Sequence, residues 1–344
     1  MCRPNTNVIF LLPHWVDLTD GDTCINDRPP RKELSCPDTA STSNSTLAGS
    51  RHSRTDSPLL LLPACSSITI TGSYNNVHDS YEILPAVLGG GHFGTVREGY
   101  HRLSSKVCAI KSISKNGKQN LLAIQREIDL LQSVNHPSII ELLNVCEDED
   151  YVHIITEKYN GGELFDKIVK QGSLPEHEAA RIIQSLLSAI EYLHANDIVH
   201  RDIKPENLLF EVKEKSGAAI RLIDFGLSRR HNSKIDPPMS NPIGSAYYMS
   251  PEVLSRCYDR SSDLWSIGII TYILLCGFPP FNGHSEAEIF ESIQREQLEF
   301  PEDAWKGISD NGTDFIKCLL QREKESRPSA GLAMTHPWFL CQKM

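Results

Sequence analysis

His200-Arg201-Asp202-Ile203-Lys204-Pro205-Glu206-Asn207 sets an aspartate, a lysine and an asparagine at fixed offsets. The stretch lies just beyond an apolar helical pattern carried by Ala180, Ile183, Leu187, Ile190 and His194. Asp224-Phe225-Gly226 follows it, after a short β-like segment at 219–223. Phosphoryl transfer needs such an inventory. It calls for a carboxylate facing the attacking hydroxyl, a cation near the moving group, and an Asn and an Asp to hold Mg²⁺.

Upstream, Leu88-Gly89-Gly90-Gly91-His92-Phe93-Gly94-Thr95-Val96 places Gly-x-Gly-x-x-Gly-x-Val between two β-like stretches. Glycines let a hairpin backbone approach phosphate oxygens and offer its N–H groups to them. Taken alone, a glycine-rich hairpin turn without a ligand reads equally well. Val107-Cys108-Ala109-Ile110-Lys111 reads as a strand with Val107, Ala109 and Lys111 on one face, which points Lys111 into a cleft. Residues 121–134 read as a helix whose stripe, Leu121, Ile124, Ile128 and Leu131, includes Glu127 while Arg126 points away. A carboxylate on a buried helix face is costly unless paired, and Lys111 is the natural partner. The plainer alternative is a boundary Glu near solvent.

Residues 142–145 and 152–156 read as two further strands, joined by Glu147-Asp148-Glu149-Asp150 as a solvated turn. Glu157-Lys158-Tyr159 and Gly161-Gly162-Glu163-Leu164-Phe165 come next. Asp263 opens a strongly apolar stretch expected to be a central buried helix.

Composition narrows the classes. The 344 residues carry a net charge of −10, which argues against non-specific nucleic-acid binding. Ten cysteines without a Cys-x-x-Cys pair suggest neither a zinc site nor a disulfide framework, so a reduced compartment is expected: cytoplasmic, with the nucleus open as a second location. No apolar run approaches the roughly 20 residues that span a bilayer, so no membrane partner is expected. Residues 1–78 are rich in Ser, Thr, Pro and Asn, and a disordered tail is expected there.

With these pieces in order, residues 81–339 resemble the eukaryotic protein kinases. Lys204, two places after Asp202, resembles the serine/threonine type. Gly-Gly-Glu-Leu-Phe at 161–165, Gly-Ser-Ala-Tyr-Tyr-Met-Ser-Pro-Glu at 244–252 and His-Pro-Trp-Phe at 336–339 are most similar to the calcium/calmodulin-dependent group, and within it to calcium-dependent protein kinases. The resemblance implies an α+β, bilobal fold with a kinase domain at 79–340. A small antiparallel-sheet N-lobe with one helix (81–157) and a hinge (158–160) would precede a larger helical C-lobe (161–339), with 341–344 as the end.

It also implies roles. Lys111, held by Glu127, would contact the α- and β-phosphates of ATP. Leu88 to Val96, Ala109, Glu157 and Tyr159 would line the nucleotide site, and small Thr156 would leave the pocket behind adenine open. Asp202 would orient the substrate hydroxyl and accept its proton, with Lys204 stabilising the transferring charge. Asn207 and Asp224 would hold Mg²⁺. Leu131, Leu142, His200 and Phe225 would stack into an apolar spine, and Glu252 and Arg327 would form a buried ion pair. Glu163 and Glu206, with Ser245 in the same groove, would bind protein substrates with a basic motif, Arg three residues before the acceptor.

Three departures stand out. Asn241 occupies the place where relatives carry a phosphorylated Thr or an acidic residue opposite Arg201. Either the activation segment is ordered constitutively, or phosphorylation falls nearby, at Ser240 or Ser233; Ser57 in the tail is a third candidate. Ser250 replaces the usual Ala, expected as a structural change. The chain ends five residues after Phe339, without EF-hands or a calmodulin-binding segment, so calcium control within it is not expected. A pseudokinase scaffold is the alternative reading, and the presence of Lys111, Asp202 and Asp224 disfavours it.

Overall fold

The computed structural model describes residues 74–91, 94–116, 118–212 and 219–340. A short helix, α1 (Val77–Ser80), leads into β1 (Tyr81–Gly91), β2 (Gly94–His101) and β3 (Val107–Ser114). Helix α2 (Lys118–Ser133) is followed by β4 (Leu142–Glu147) and β5 (Tyr151–Glu157). The five strands form one antiparallel sheet in the order β1-β2-β3-β5-β4.

Period-two alternation separates the sheet's two faces. Cys108, Ile110 and Ile155 pack on one face with Val77 and Tyr81. On the other, Lys111 pairs in register with Ile154, which packs with Ile124, Ile128 and Leu131 of α2. Glu127 sits on that inward side of α2, 4% exposed, while Arg126 is exposed. The sheet and α2 thereby bring Lys111 and Glu127 together.

The larger, helical part begins with α3 (Leu164–Gln171) and α4 (Glu176–Ala195). Small strands follow: β6 (Ile198–Val199), β7 (Leu208–Phe210), β8 (Ile220–Leu222) and β9 (Arg229–Arg230), paired β6 with β9 and β7 with β8. Then come α5 (Pro251–Leu254), α6 (Ser261–Cys276), α7 (Glu286–Arg295), α8 (Glu302–Trp305), α9 (Asp310–Leu319), α10 (Ala330–Ala333) and α11 (Pro337–Leu340). Helix α6 is apolar all round and buried along nearly its whole length, the central helix expected from its sequence. It stops at Gly277, whose φ of 89° gives a left-handed C-cap that a side chain would strain.

Three expectations need correction. The ordered part starts before residue 79: Tyr74 packs against the core, Val77 is fully buried, and Asn76 bridges to Glu147. A four-residue helix is too short to show periodicity in sequence. Helix α2 starts at Lys118 rather than 121. The acidic turn is more than solvated, because Lys115 pairs with Glu147 at 2.8 Å and Asp148 accepts from His153 Nε2 at 2.9 Å. Residues 1–73 of the expected tail, with Ser57, lie outside the described residues, as do His92 and Phe93. No helix among the described residues is long and apolar enough to cross a membrane.

Candidate active site

Helix α4 delivers the chain into the 200–207 loop, and α6 holds that loop by its backbone. Asp263, in the first turn of α6 and 1% exposed, accepts from the backbone N–H of His200 at 3.0 Å and of Arg201 at 2.9 Å. Its Oδ2 also lies 2.8 Å from His194 Nε2. Burial pushes the Asp263 carboxyl up, but His194 and these N–H groups outweigh it, and the group ends below the usual carboxylate range. His200 stacks edge-on against Phe225 at 5.1 Å between ring centres, both buried. Arg201 and Asp224 adopt φ values of 69° and 61°, unusual for non-glycine residues and held by these surrounding contacts.

Asp202, Lys204 and Ser245 form a triangle. Lys204 Nζ lies 2.8 Å from Asp202 Oδ2 and donates to Ser245 Oγ at 3.1 Å, while Ser245 Oγ donates to Asp202 Oδ1 at 3.1 Å. Asn207 Nδ2 donates to the Asp202 backbone carbonyl at 2.8 Å and to Oδ2 at 3.1 Å, fixing the carboxylate plane. The β7–β8 pairing brings the next group in: the Ile223 N–H donates to the Asn207 carbonyl at 2.9 Å, which puts Asp224 beside Asn207.

Lys111 spans the two lobes. Its Nζ donates to Glu127 Oε1 at 2.7 Å and to Asp224 Oδ1 at 3.0 Å. Burial works against the ammonium, but Asp224 and Glu127 outweigh it and raise its pKa. The two acids differ: Asp224 ends lowered, whereas burial leaves Glu127 raised despite the same ammonium. The ionised arrangement is favoured, since Lys111 is held charged between two acceptors within hydrogen-bond reach.

Residues 83–339 match the family described as Protein kinase domain. The chain belongs to the protein kinase family. It is similar to Calcium-dependent protein kinase 3 of Plasmodium yoelii yoelii, 41% identical over 78% of this chain and 49% of the relative. It is 44% identical to Myosin light chain kinase A of Dictyostelium discoideum over 73% of this chain and 85% of the relative. To Calcium/calmodulin-dependent protein kinase type 1 of Macrobrachium nipponense it is 40% identical, over 78% of this chain and 77% of the relative. The chain spans about half the length of the calcium-dependent protein kinases it matches.

A protein kinase domain uses ATP and a divalent metal, and the residues present suit both. The β1–β2 hairpin ends at the Gly91–Gly94 pair, and a Cβ added at Gly89 would meet nothing within 4 Å, so the hairpin leaves open room. Gly94 is different: its φ is 117°, and a Cβ there would lie 2.4 Å from the Ser112 carbonyl oxygen. Thr95 and Val96 pair with Ser112 and Lys111, and Ala109 pairs with Thr156, which is 8% exposed. Leu88 is 46% exposed beside the hairpin. In the hinge stretch, Tyr159 Oη donates to Glu157 Oε2 at 3.0 Å, and Lys106 donates to Oε1 at 3.0 Å. The side chains of Asn207 and Asp224 offer oxygen donors, the hard ligands that Mg²⁺ takes.

Glu163 and Glu206, the acids expected to meet a substrate, are half-buried. Glu163 is bridged to Leu209 of β7, and burial raises its carboxyl. Burial pushes Glu206 up to about 6, and its Oε2 is buried with no partner among the described residues. Ser233 and Ser240 are both exposed. Glu252 and Arg327 form a two-pronged pair at 2.5 and 2.7 Å.

Reading the sequence alone missed Tyr258. It is 1% exposed; its Oη donates to the Asn241 carbonyl at 2.7 Å and accepts from Arg201 Nη1 at 3.3 Å. No spacing rule links residues so far apart in the chain. The Lys111–Asp224 contact was missed for the same reason.

Proposed function

We propose that this kinase transfers the γ-phosphoryl group of ATP to serine and threonine hydroxyls of proteins. The observation that carries the reading is the Asp202–Lys204–Ser245 triangle set beside Asn207, to which the Ile223–Asn207 backbone bond joins the strand leading to the Lys111–Asp224 ion pair. Asp202 is the only carboxylate in that triangle, so it orients the acceptor hydroxyl and takes its proton as the new O–P bond forms and ADP leaves. Lys204 holds a positive charge beside that carboxylate and offsets the charge on the moving group. Lys111 grips the α- and β-phosphates, kept in place by Glu127. Asn207 and Asp224 would hold Mg²⁺, which neutralises charge on the phosphate oxygens. Most of this catalysis is positioning and electrostatics, so losing Asp202 should cost orders of magnitude in rate.

The substrate preference extends the same reading. Glu163 and Glu206 face a basic residue upstream of the acceptor, with Arg three residues before it. The partnerless Glu206 Oε2 supports this, because a guanidinium would supply the missing donors. The nucleotide-lining roles of Leu88 to Val96, Ala109, Glu157 and Tyr159 belong to the proposal too.

The test is transfer of labelled phosphate from ATP to a mixed peptide library with Mg²⁺, comparing the chain with Asp202→Asn. Transfer well above the variant, enriched in peptides with Arg at the third position before Ser or Thr, is the expected result. Equal signals from the two proteins would remove the catalytic reading and favour the scaffold one.

A further inference from the structure

Arg201 sits next to the catalytic loop's aspartate, and its guanidinium has no ion-paired carboxylate among the described residues. Its contacts are neutral: Nε donates to the Leu227 carbonyl at 2.7 Å, and Nη1 to Tyr258 Oη at 3.3 Å. Arg229 lies near enough to add a second positive charge. Asn241, which a phosphate or an acid would replace in related kinases, is exposed, and its backbone meets the site. The carbonyl of Asn241 is the acceptor for Tyr258 Oη, at 2.7 Å.

Tyr258 grips the activation segment a second way. Its backbone bridges antiparallel to Met239, with N–H to O distances of 2.8 and 3.0 Å. Met239, Met249, Val253 and Val199 pack around it in a separate apolar cluster. The tyrosine thus ties residues on both sides of Ser240 to the arginine of the catalytic loop. A phenol suits this post. Its single O–H satisfies the Asn241 carbonyl while its lone pairs take the guanidinium, and its ring fills the apolar cluster.

We propose that Tyr258 is a positioning residue that substitutes for an activation-segment phosphate, so that the segment from Met239 to Ser245 is ordered without phosphorylation. The inference rests on the kinase reading above and adds to it how the site is regulated. Gly244, with a φ of 122° and its Cβ position 2.9 Å from the Arg201 carbonyl, already ties this segment to the loop. Ser245, one residue on, closes the Asp202 triangle, so slack at residues 239–244 reaches the catalytic carboxylate directly.

Three measurements test this. Phosphatase-treated kinase, checked by intact mass to carry no phosphate, should retain its full kcat. Tyr258→Phe should lose kcat about tenfold, the size expected for removing hydrogen bonds to a charged group, with KM for ATP unchanged. Adding Asn241→Glu to Tyr258→Phe should restore kcat, because a carboxylate then answers Arg201; a purely structural role for the phenol predicts no rescue. A dephosphorylated wild type that is inactive until Ser233 or Ser240 is phosphorylated would overturn the proposal. So would an unimpaired Tyr258→Phe, or a folded one that Asn241→Glu fails to rescue. The phosphatase arm needs no substitution and decides even where the Phe variant does not fold. Amide exchange over residues 243–248 separates this from the catalytic reading. If wild type transfers no more than Asp202→Asn, that reading fails, yet Tyr258→Phe should still speed exchange there; unchanged exchange would sink the positioning role.

Discussion

Lys111 Nζ and Glu127 Oε1 lie 2.7 Å apart, one on β3 of the sheet and one on helix α2, with Glu127 4% exposed. Removing the ammonium strands a buried carboxylate, which typically costs about 3–5 kcal/mol. Lys111→Met should therefore lower stability to urea by that order and abolish transfer. The double variant Lys111→Met/Glu127→Leu should recover much of the stability, because an apolar pair can replace a buried ion pair at little cost. Transfer should stay lost. A double variant no more stable than Lys111→Met would show that the helix is not held by this pair.

Glu206 gives a pH prediction. Burial raises its folded-state value to about 6, above its ordinary value of 4.5. Between those values the folded protein binds more protons than the unfolded chain, so stability falls as pH rises through that window and levels off above about 6. Binding of an arginine side chain runs the other way, since it needs the carboxylate. The ratio of kcat/KM for an Arg-bearing peptide over its Ala analogue should therefore rise as pH passes about 6. Glu206→Gln should flatten it. A ratio flat with pH in the unaltered kinase would remove Glu206 from the substrate site.

Sequence singled out the proposed catalytic residues because chemistry dictates which residue types can serve. Asp202, Lys204, Asn207 and Asp224 sit in short windows where residue type and spacing carry the information. The family resemblance implied the bilobal fold, while period-two alternation marked β3 and helical stripes marked α2 and α4. Contacts between distant side chains were not legible. Ser112 Oγ and Asp148 Oδ2 each lie 2.9 Å from a ring nitrogen of buried His153, pinning β3 and the acidic turn to β5, but no local pattern marks the three. Tyr258 is alike: as one apolar residue before α6, it reads as core. Its hydroxyl matters only once Arg201 and Asn241 are placed beside it.

Ser250 replaces the usual alanine and is 1% exposed, and its Oγ finds no partner among the described residues. A buried hydroxyl without a hydrogen bond costs about 1–3 kcal/mol by mutational measures. Ser250→Ala deletes the hydroxyl and keeps the Cβ, so it should raise the melting temperature or leave it unchanged, with kcat the same. A fall in stability would reveal a partner for the hydroxyl, such as an ordered water.

The Glu252–Arg327 pair closes the large lobe, and its geometry decides what can replace it. Arg327 donates from Nη1 at 2.5 Å and Nη2 at 2.7 Å to the two carboxylate oxygens, with side chains 0% and 8% exposed. The same guanidinium reaches the carbonyls of Ser261 at 3.0 Å and Gln321 at 2.8 Å, and lies over the Trp265 ring at 5.2 Å. One planar group therefore ties α5, the start of α6 and the turn that follows α9. Lysine has neither the fork nor the flat face, so Arg327→Lys should behave as a broken pair rather than a conservative change. Arg327→Ala should cost about 3–5 kcal/mol, because it leaves Glu252 buried and unpaired. Since Glu252 opens α5, directly after the activation segment, proteolysis should nick Arg327→Ala first between residues 239 and 260. A urea midpoint for Arg327→Lys equal to that of the unaltered kinase would show that charge alone, and not the fork, holds this junction.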